Sequence, residues 1–142
     1  MTLPRGIRNN NAGNIRWGSN WQGLVSPEKR TDKDFCQFIQ PVYGLRAIVK
    51  LIFTYRDKYG LNTVESIINR YAPPSENNTR GYIQRVCDKL GVKPNQPIEL
   101  TDKALALLIR AICGVENNKD GIDYSNYYPS ELVNRAIAMA RQ

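Results

Sequence analysis

Carboxylates are the residues of this sequence most able to do chemistry, because its composition removes most alternatives. The 142 residues include no histidine and three widely spaced cysteines, Cys36, Cys87 and Cys113. A zinc site and a Ser-His-Asp triad are therefore excluded, and we expect neither a metal nor a cofactor. The cysteines are predicted to be small buried hydrophobic residues rather than a disulfide framework. Any reaction must use carboxylates, lysine, tyrosine or serine.

Glu116 is the strongest candidate among the carboxylates because it ends an apolar helix. The segment DKALALLIRAICGVE, residues 102–116, is apolar around nearly its whole circumference. At about 100° per residue, Glu116 lies within roughly 40° of Leu105, Ile109 and Ile112. Desolvation there raises the pKa of a carboxyl, and the helix C-terminal dipole acts in the same direction. A carboxyl that keeps its proton at neutral pH can act as a general acid. The alternative is a frayed last turn whose side chain faces water.

Two asparagine-rich loops can supply polar contacts beside such an acid. RNNNAGNIRWG, residues 8–18, contains four asparagines and two glycines, which accept turn and left-handed conformations. ENNKDG, residues 116–121, begins at the acid itself. The first loop is either a structured turn or a surface that presents amides and a Trp face to a polar ligand. Glycoside cleavage requires a protonated acid at the scissile oxygen, and amide-rich, sugar-binding loops typically flank that acid.

Other acids have both a functional and a structural interpretation. Glu76 and Asn77, in PPSENNT, are candidate substrate-binding residues, and Glu76 can pair with Glu116 as a second acid. Alternatively, Glu76 is a helix N-terminal residue placed favourably on the helix dipole. Asp32 and Asp34, in TDKD near the predicted β lobe, are either a second carboxylate of the site or a solvated turn.

The aromatic residues also leave two interpretations open. Trp17 and Trp21 can stack on sugar rings, but an aromatic residue beside a loop also serves as a packing anchor. Tyr71, at the end of a predicted helix, is expected to belong to the core rather than to a site.

Hydrophobic periodicity predicts a mainly α chain of the α+β class, with one domain over residues 1–142. Residues 1–42 lack helical periodicity and contain the aromatic alternation DFCQFI, which predicts a small irregular β lobe near the N-terminus. The first long helix is expected to bury Leu45, Ile48, Ile52, Tyr55 and Tyr59. The predicted helices cover residues 44–60, 62–71, 79–91, 101–116 and 129–142.

Three helix starts have a predicted cap. Asn62 with Glu65 has the pattern of a capping box. Thr79 and Thr101 are expected to cap the two helices that follow. The helix at 101–116 is expected to lie at the centre of the fold, since it is apolar on nearly all sides.

The charge of the chain favours a polyanionic partner. Twenty basic residues against thirteen acidic ones give a net charge of +7. Nucleic acid and an anionic envelope polymer such as peptidoglycan are equally compatible with it, and so is a solvated surface without a partner. The start MTLPRGIRNNN lacks the apolar segment of a signal peptide, and no apolar run approaches the length of a membrane span. We therefore expect a protein without a membrane span and without a visible export signal.

Four blocks of the sequence carry a family resemblance. RGIRNNNAGNIRWG, DFCQFIQPVYGLRAI, RYAPPSENNTRGYIQRV and LIRAICGVENN resemble, in this order, the motifs of a phage family of virion-associated, lysozyme-like murein-degrading proteins of the cystoviral lytic type. The blocks cover about half of the chain. The usual first block has Pro where this chain has Ala12, a change that affects turn rigidity more than chemistry.

The same blocks are similar, in rotated order, to flagellar-type glucosaminidases and other lysozyme-superfamily enzymes. In those enzymes the catalytic Glu ends an early helix, whereas here its helix comes late, as in a circular permutation. The resemblance implies a lysozyme-like fold with Glu116 as general acid and base. It also implies that Tyr82 lies in the cleft and that Asn11, Gly13 and Asn14 contact the saccharide or shape its floor.

The implied activity is cleavage of peptidoglycan strands between N-acetylmuramic acid and N-acetylglucosamine. It proceeds either by transglycosylation to an anhydro product or by hydrolysis. The rival expectation is a non-catalytic virion component on the same scaffold, or a nucleic-acid-binding protein; a toxin delivered by an injection system would use the same chemistry as the enzyme. Without an export signal, a wall-degrading role requires delivery by a phage particle, a holin or a secretion machine.

Overall fold

The computed structural model describes residues 2–142 and is mainly helical, as the periodicity predicted. A short 3₁₀ helix at Pro27–Lys29 interrupts the irregular segment between the first two α-helices. Within the described residues the α-helices are α1 (Arg5–Arg8), α2 (Pro41–Tyr59), α3 (Val64–Tyr71), α4 (Thr79–Leu90), α5 (Asp102–Glu116) and α6 (Ser130–Ala140). None of them has the length and apolar character that crossing a bilayer requires.

The predicted central helix is confirmed. Helix α5 packs against α4 on one side and against α2 and α6 on others. Its residues Leu105, Leu108, Ile109 and Ile112 are completely buried. Each such side chain contributes about 1.5–3 kcal/mol relative to an exposed one. The C-terminal half of α5 is therefore held firmly by the core, and this positions Glu116, the last residue of the helix.

Helix α2 is longer at its start than predicted and ends where predicted. It begins at Pro41, which is tolerated at a first helical position because the missing N–H would have no partner there. It ends before Gly60, which adopts a left-handed φ of 68°. The expectation that Tyr59 is buried is wrong, because this residue is 44% exposed. Its ring is covered by the Arg70 guanidinium, 3.8 Å from the ring centroid, instead of by apolar side chains.

Two of the three predicted caps are wrong by one residue. The capping box of α3 joins Thr63 and Ser66, since the Thr63 hydroxyl accepts from the Ser66 backbone N–H at 3.1 Å. Helix α4 is capped by Asn78 rather than Thr79. The predicted cap at Thr101 is confirmed, because its hydroxyl accepts from the Ala104 N–H. In both wrong cases the predicted cap and its neighbour are residue types that can cap a helix, Asn62 beside Thr63 and Asn78 beside Thr79. The sequence pattern alone does not choose between them.

Thr79 has a different role from the predicted one. Its side chain is buried, and its hydroxyl donates to the Ala72 carbonyl at 2.5 Å. This bond closes the turn between α3 and α4, residues 72–78. That turn carries Glu76 and Asn77.

The N-terminal lobe is irregular, as predicted. Within the described residues its strand pairing is limited to isolated bridges: Arg16 with Phe35 and Leu24 with Phe38 are antiparallel, and Trp17 with Ser19 is parallel. A second small hydrophobic cluster of Cys36, Phe38 and Ala47 fills the lobe. All three cysteines of the chain are free and buried, which confirms their prediction as small core residues.

Asp32 holds the lobe together. Its carboxylate accepts hydrogen bonds from the Arg5 guanidinium at 2.7 Å and from the Asn9 amide at 2.8 Å. It also accepts from the backbone N–H groups of Asp34 and Phe35. The Arg5 guanidinium holds the pKa of Asp32 well below its usual range. Asp32 is therefore a paired structural anion, and these contacts do not support its alternative interpretation as a second reacting carboxylate.

Candidate active site

Glu116 is the last residue of α5, and its partly buried side chain lines a cleft. The Tyr82 hydroxyl donates to Oε2 at 3.0 Å. The Asn14 side-chain amide donates to the Glu116 backbone carbonyl at 3.0 Å and to Oε1 at 3.3 Å. Tyr82 is 4% exposed, so it holds the carboxyl from the core side. The alternative in which the last turn frays into water is not what the structure shows.

The surroundings of Glu116 favour its protonated form. Burial raises the pKa of Glu116, while the hydrogen bonds from Tyr82 and Asn14 act in the opposite direction and are smaller. Oε2 accepts the shorter bond, whereas Oε1 has only the longer contact with Asn14. Oε1 is therefore the oxygen less engaged by hydrogen bonds and the more readily protonated of the two.

A cleft of about 300 Å³ opens beside Glu116. One wall comes from the N-terminal loop and the lobe, and the other from α2, α3 and the turn after α3. Its lining combines the carboxyl with amide, aromatic and apolar groups, as a saccharide site requires. The lining residues are Gly13, Asn14, Ile15, Arg16, Phe35, Leu51, Tyr55, Tyr71, Ala72, Glu76, Asn77 and Glu116.

A second cavity is larger but lacks this carboxyl. It measures about 470 Å³ and lies between α4, α5 and the segment after α5, with Ala111, Val115 and Ile122 among its lining residues. Its polar groups include the ion pair of Lys89 and Asp123, 3.7 Å apart. We assign the candidate site to the smaller cleft because it contains the buried titratable group. No cluster of three or more potential metal ligands occurs in residues 2–142.

Tyr71 belongs both to the core and to the cleft, whereas its sequence position predicted a core residue. Its ring packs against the main hydrophobic cluster, and it is only partly buried. Its hydroxyl donates to the Gly13 carbonyl at 2.5 Å. This bond fastens the N-terminal loop to the end of α3 across the cleft. Burial and the nearby Glu116 raise the pKa of Tyr71 well above its ordinary value, so the hydroxyl remains a donor.

Gly13 leaves the space that the Tyr71 hydroxyl needs. A Cβ at this position would overlap that hydroxyl and lie 2.9 Å from Ile48 Cγ1. We expect Gly13→Ala to destabilise the protein by about 1–3 kcal/mol, the usual range for overpacking, and to lower the thermal midpoint by roughly 3–10 °C. Gly60→Ala is the comparison variant. A Cβ at position 60 has no atom within 4 Å, so this variant measures only the cost of placing alanine in a left-handed backbone conformation. Wild-type thermal stability in Gly13→Ala would contradict the assigned packing.

The two predicted asparagines of the loop have different roles. Asn11 is fully buried, and its amide bonds both the N–H and the carbonyl of Ile15 and also the Cys36 carbonyl. It therefore braces the loop internally and does not line the cleft. Asn14 adopts a left-handed φ of 48°, which asparagine tolerates, and this conformation accompanies its amide's contact with Glu116.

Asn117 is a site residue that the sequence interpretation missed. It is 2% exposed and follows Glu116 directly. Its Oδ1 accepts from the Ile7 N–H at 3.1 Å, and its Nδ2 donates to the Ala12 carbonyl at 2.8 Å. The side chain therefore fixes the N-terminal loop to the end of α5. The available signal was an asparagine at a helix C-terminus next to a candidate acid, but its partners lie more than 100 positions away in sequence.

The remaining predicted site residues divide into two groups. Glu76 and Asn77 line the cleft together with Glu116. Trp17 does not line it, because its indole N–H donates to the Asp32 carbonyl at 2.7 Å and the Arg30 guanidinium covers its ring at 4.1 Å. Trp21 packs against the small cluster of the lobe. The packing interpretation fits both tryptophans.

The raised pKa of Glu116 has a consequence for stability. A glutamate whose pKa is higher in the folded than in the unfolded state loses stability as pH rises from the unfolded value through the folded one. Glu116→Gln has no titratable carboxyl, so we expect it to unfold at a higher temperature than wild type at neutral pH. The midpoint should rise by about 2–4 °C for each kcal/mol by which the ionised carboxylate lowers the free energy of unfolding of wild type. Below about pH 4, where Glu116 is protonated in both states, the difference should vanish. Thermal unfolding from pH 3.5 to 8 measures it, and a pH-independent difference would contradict the burial of the charge.

No protein-family model matches the chain. The chain is similar along most of its length to protein P5 of Pseudoalteromonas phage PM2. The two are 40% identical over 124 residues, which cover 84% of this chain and 75% of the relative. This similarity confirms the predicted relationship to phage proteins. The chain belongs to the family of protein P5 of Pseudoalteromonas phage PM2.

Proposed function

We propose that this protein cleaves the glycan strands of peptidoglycan on a lysozyme-like fold, with Glu116 as general acid and base. The observation that carries the proposal is a partly buried carboxyl with a raised pKa, which lines a cleft together with amides and aromatic residues. General acid catalysis of glycoside cleavage needs such a carboxyl. The relative is a phage protein. As part of the proposal, this chain acts on the wall during infection or release and is either carried in the virion or released at lysis.

The proposed reaction begins with proton transfer from Glu116 to the glycosidic oxygen. The bond between this oxygen and C1 of the muramyl sugar breaks, and the departing sugar gains a hydroxyl. The muramyl C6 hydroxyl then attacks C1 and returns its proton to the Glu116 carboxylate. A 1,6-anhydro ring forms without consumption of water, and Glu116 ends in its starting state.

The residues around Glu116 support both halves of this cycle. Tyr82 donates to Oε2, which stabilises the carboxylate that forms after the first proton transfer. Asn14 fixes the backbone carbonyl and Oε1 on the cleft side. Tyr82 and Asn14 are therefore positioning residues in this scheme. Hydrolysis, the alternative outcome, requires a water molecule and a second carboxylate, for which Glu76 is the other acid that lines the cleft.

Digestion of purified murein sacculi tests the proposal. The wild-type protein is expected to release muropeptides, and mass spectrometry distinguishes anhydro products from reducing ones by one water molecule. Anhydro ends support attack by the C6 hydroxyl, whereas reducing ends indicate hydrolysis and assign Glu76 as the next residue to test. Absence of release, together with salt-sensitive retention of DNA, would contradict the proposal and favour a nucleic-acid-binding virion protein instead.

A further inference from the structure

Among the described residues that line the candidate cleft, Arg16 is the one with a cationic side chain. It follows Asn14 by two positions, and the cleft lining includes its side chain and the ring of Phe35. The backbones of Arg16 and Phe35 form an antiparallel bridge. The Arg16 guanidinium lies over the Phe35 ring, 4.9 Å from its centroid. Stacking on this ring holds the guanidinium at the edge of the cleft and leaves its N–H groups free.

A second arginine on the same ring shows what distinguishes Arg16. Arg5 also lies over Phe35, at 4.6 Å, but its guanidinium is paired with Asp32 at 2.7 Å and with Asp34 at 3.4 Å. Within residues 2–142, Arg16 makes no ion pair and no side-chain hydrogen bond. The lobe therefore neutralises one of its two stacked cations and presents the other to the cleft.

The position of Arg16 relative to Glu116 limits what it can bind. Asn14 contacts Glu116, and the Cα atoms of residues 14 and 16 are at most about 7 Å apart. A ligand with its scissile oxygen at Glu116 therefore brings its neighbouring substituents within reach of the Arg16 side chain. A guanidinium binds a carboxylate through two parallel N–H bonds, and this geometry is more selective than that of a point charge.

We propose that Arg16 binds a carboxylate on the 3-substituent of the muramyl sugar, so that the cleft selects acidic murein over neutral glycans. This inference rests on the proposed function. The carboxylate has two possible sources: the peptide stem of intact murein, or the free lactyl group left when an amidase removes that stem. A chitin strand has the same kind of backbone but carries neither group.

Binding by an inactive variant tests this selectivity separately from turnover. Glu116→Gln, with and without Arg16→Gln, is incubated with intact sacculi, amidase-treated glycan strands and chitin, and the bound fraction is measured. We expect Arg16→Gln to weaken binding to at least one acidic polymer by about tenfold, as loss of a charge-assisted pair implies. Binding to chitin should stay unchanged. Loss on sacculi alone identifies the stem carboxylate, and loss on the treated strands identifies the lactyl group.

Controls separate this inference from the proposed function. Arg135→Gln, an exposed arginine of α6, removes the same charge away from the cleft and should leave all three affinities unchanged. A thermal midpoint of Arg16→Gln equal to that of the wild type shows that the variant is folded. An equal loss on chitin and murein, no loss on any polymer, or no binding to any polymer would overturn the role of Arg16. Muropeptide release by the wild type, measured independently, decides the proposed function.

Discussion

Glu116→Gln is expected to lower murein cleavage by about 10²–10⁴-fold, the usual contribution of a general acid and base. Glutamine has nearly the same shape and can still accept from the Tyr82 hydroxyl, but it cannot transfer a proton. The neutral amide also avoids burial of a charge, so the variant should remain folded. Muropeptide release from sacculi, measured with equal amounts of folded protein, gives the ratio of rates.

Two matched variants make this result specific. Glu99→Gln removes an exposed carboxylate outside the cleft and should leave the rate unchanged. Glu76→Gln removes the other acid of the cleft. We expect it to retain most activity if the product is anhydro and to lose it if the product is hydrolysed. Activity of Glu116→Gln within twofold of wild type would remove Glu116 from the reaction.

The rate should also depend on pH in a defined direction. Burial raises the pKa of Glu116, so the acid form persists to higher pH than in an ordinary glutamate. Activity that needs this proton is lost as pH rises through the raised value. We expect the wild-type rate to fall on the alkaline side of its pH profile and the residual rate of Glu116→Gln to show no such fall. This difference would assign the alkaline loss of activity to deprotonation of Glu116.

Asn117→Ala is expected to destabilise the protein by about 3 kcal/mol, because it leaves the buried N–H of Ile7 and carbonyl of Ala12 without partners. The thermal midpoint should fall by roughly 6–12 °C. The same change frees the loop that carries Asn14, so activity below the midpoint should also fall, by about 10–100-fold. Thermal unfolding and muropeptide release measure the two effects.

Asn118 provides the control for this variant. It is an exposed asparagine next in sequence, so Asn118→Ala should change the free energy of unfolding by less than about 0.5 kcal/mol. A similar loss in both variants would show that the segment after α5 tolerates no change, rather than that Asn117 fastens the loop. Unchanged stability in Asn117→Ala would contradict the role of its two buried bonds.

The sequence by itself determined the helices and the exceptional position of Glu116. The apolar faces of α2, α3, α4 and α5 follow from the spacing of residues three and four apart, which is a local property of the chain. The placement of Glu116 in line with Ile109 and Ile112 follows from the same spacing. The same spacing did not decide whether the last turn packs on the core or frays into water.

Tertiary structure decided which side chains meet Glu116. Asn14 and Tyr82 reach it from 102 and 34 positions away, and no local pattern specifies such pairings. Tyr71 reaches the cleft because packing turns its hydroxyl toward Gly13, whereas Trp17 is drawn into the lobe by its bond to Asp32. Periodicity gives the face of an element on which a residue lies. The partner on that face depends on how separate elements pack, and this is determined by the summed contacts of the whole core.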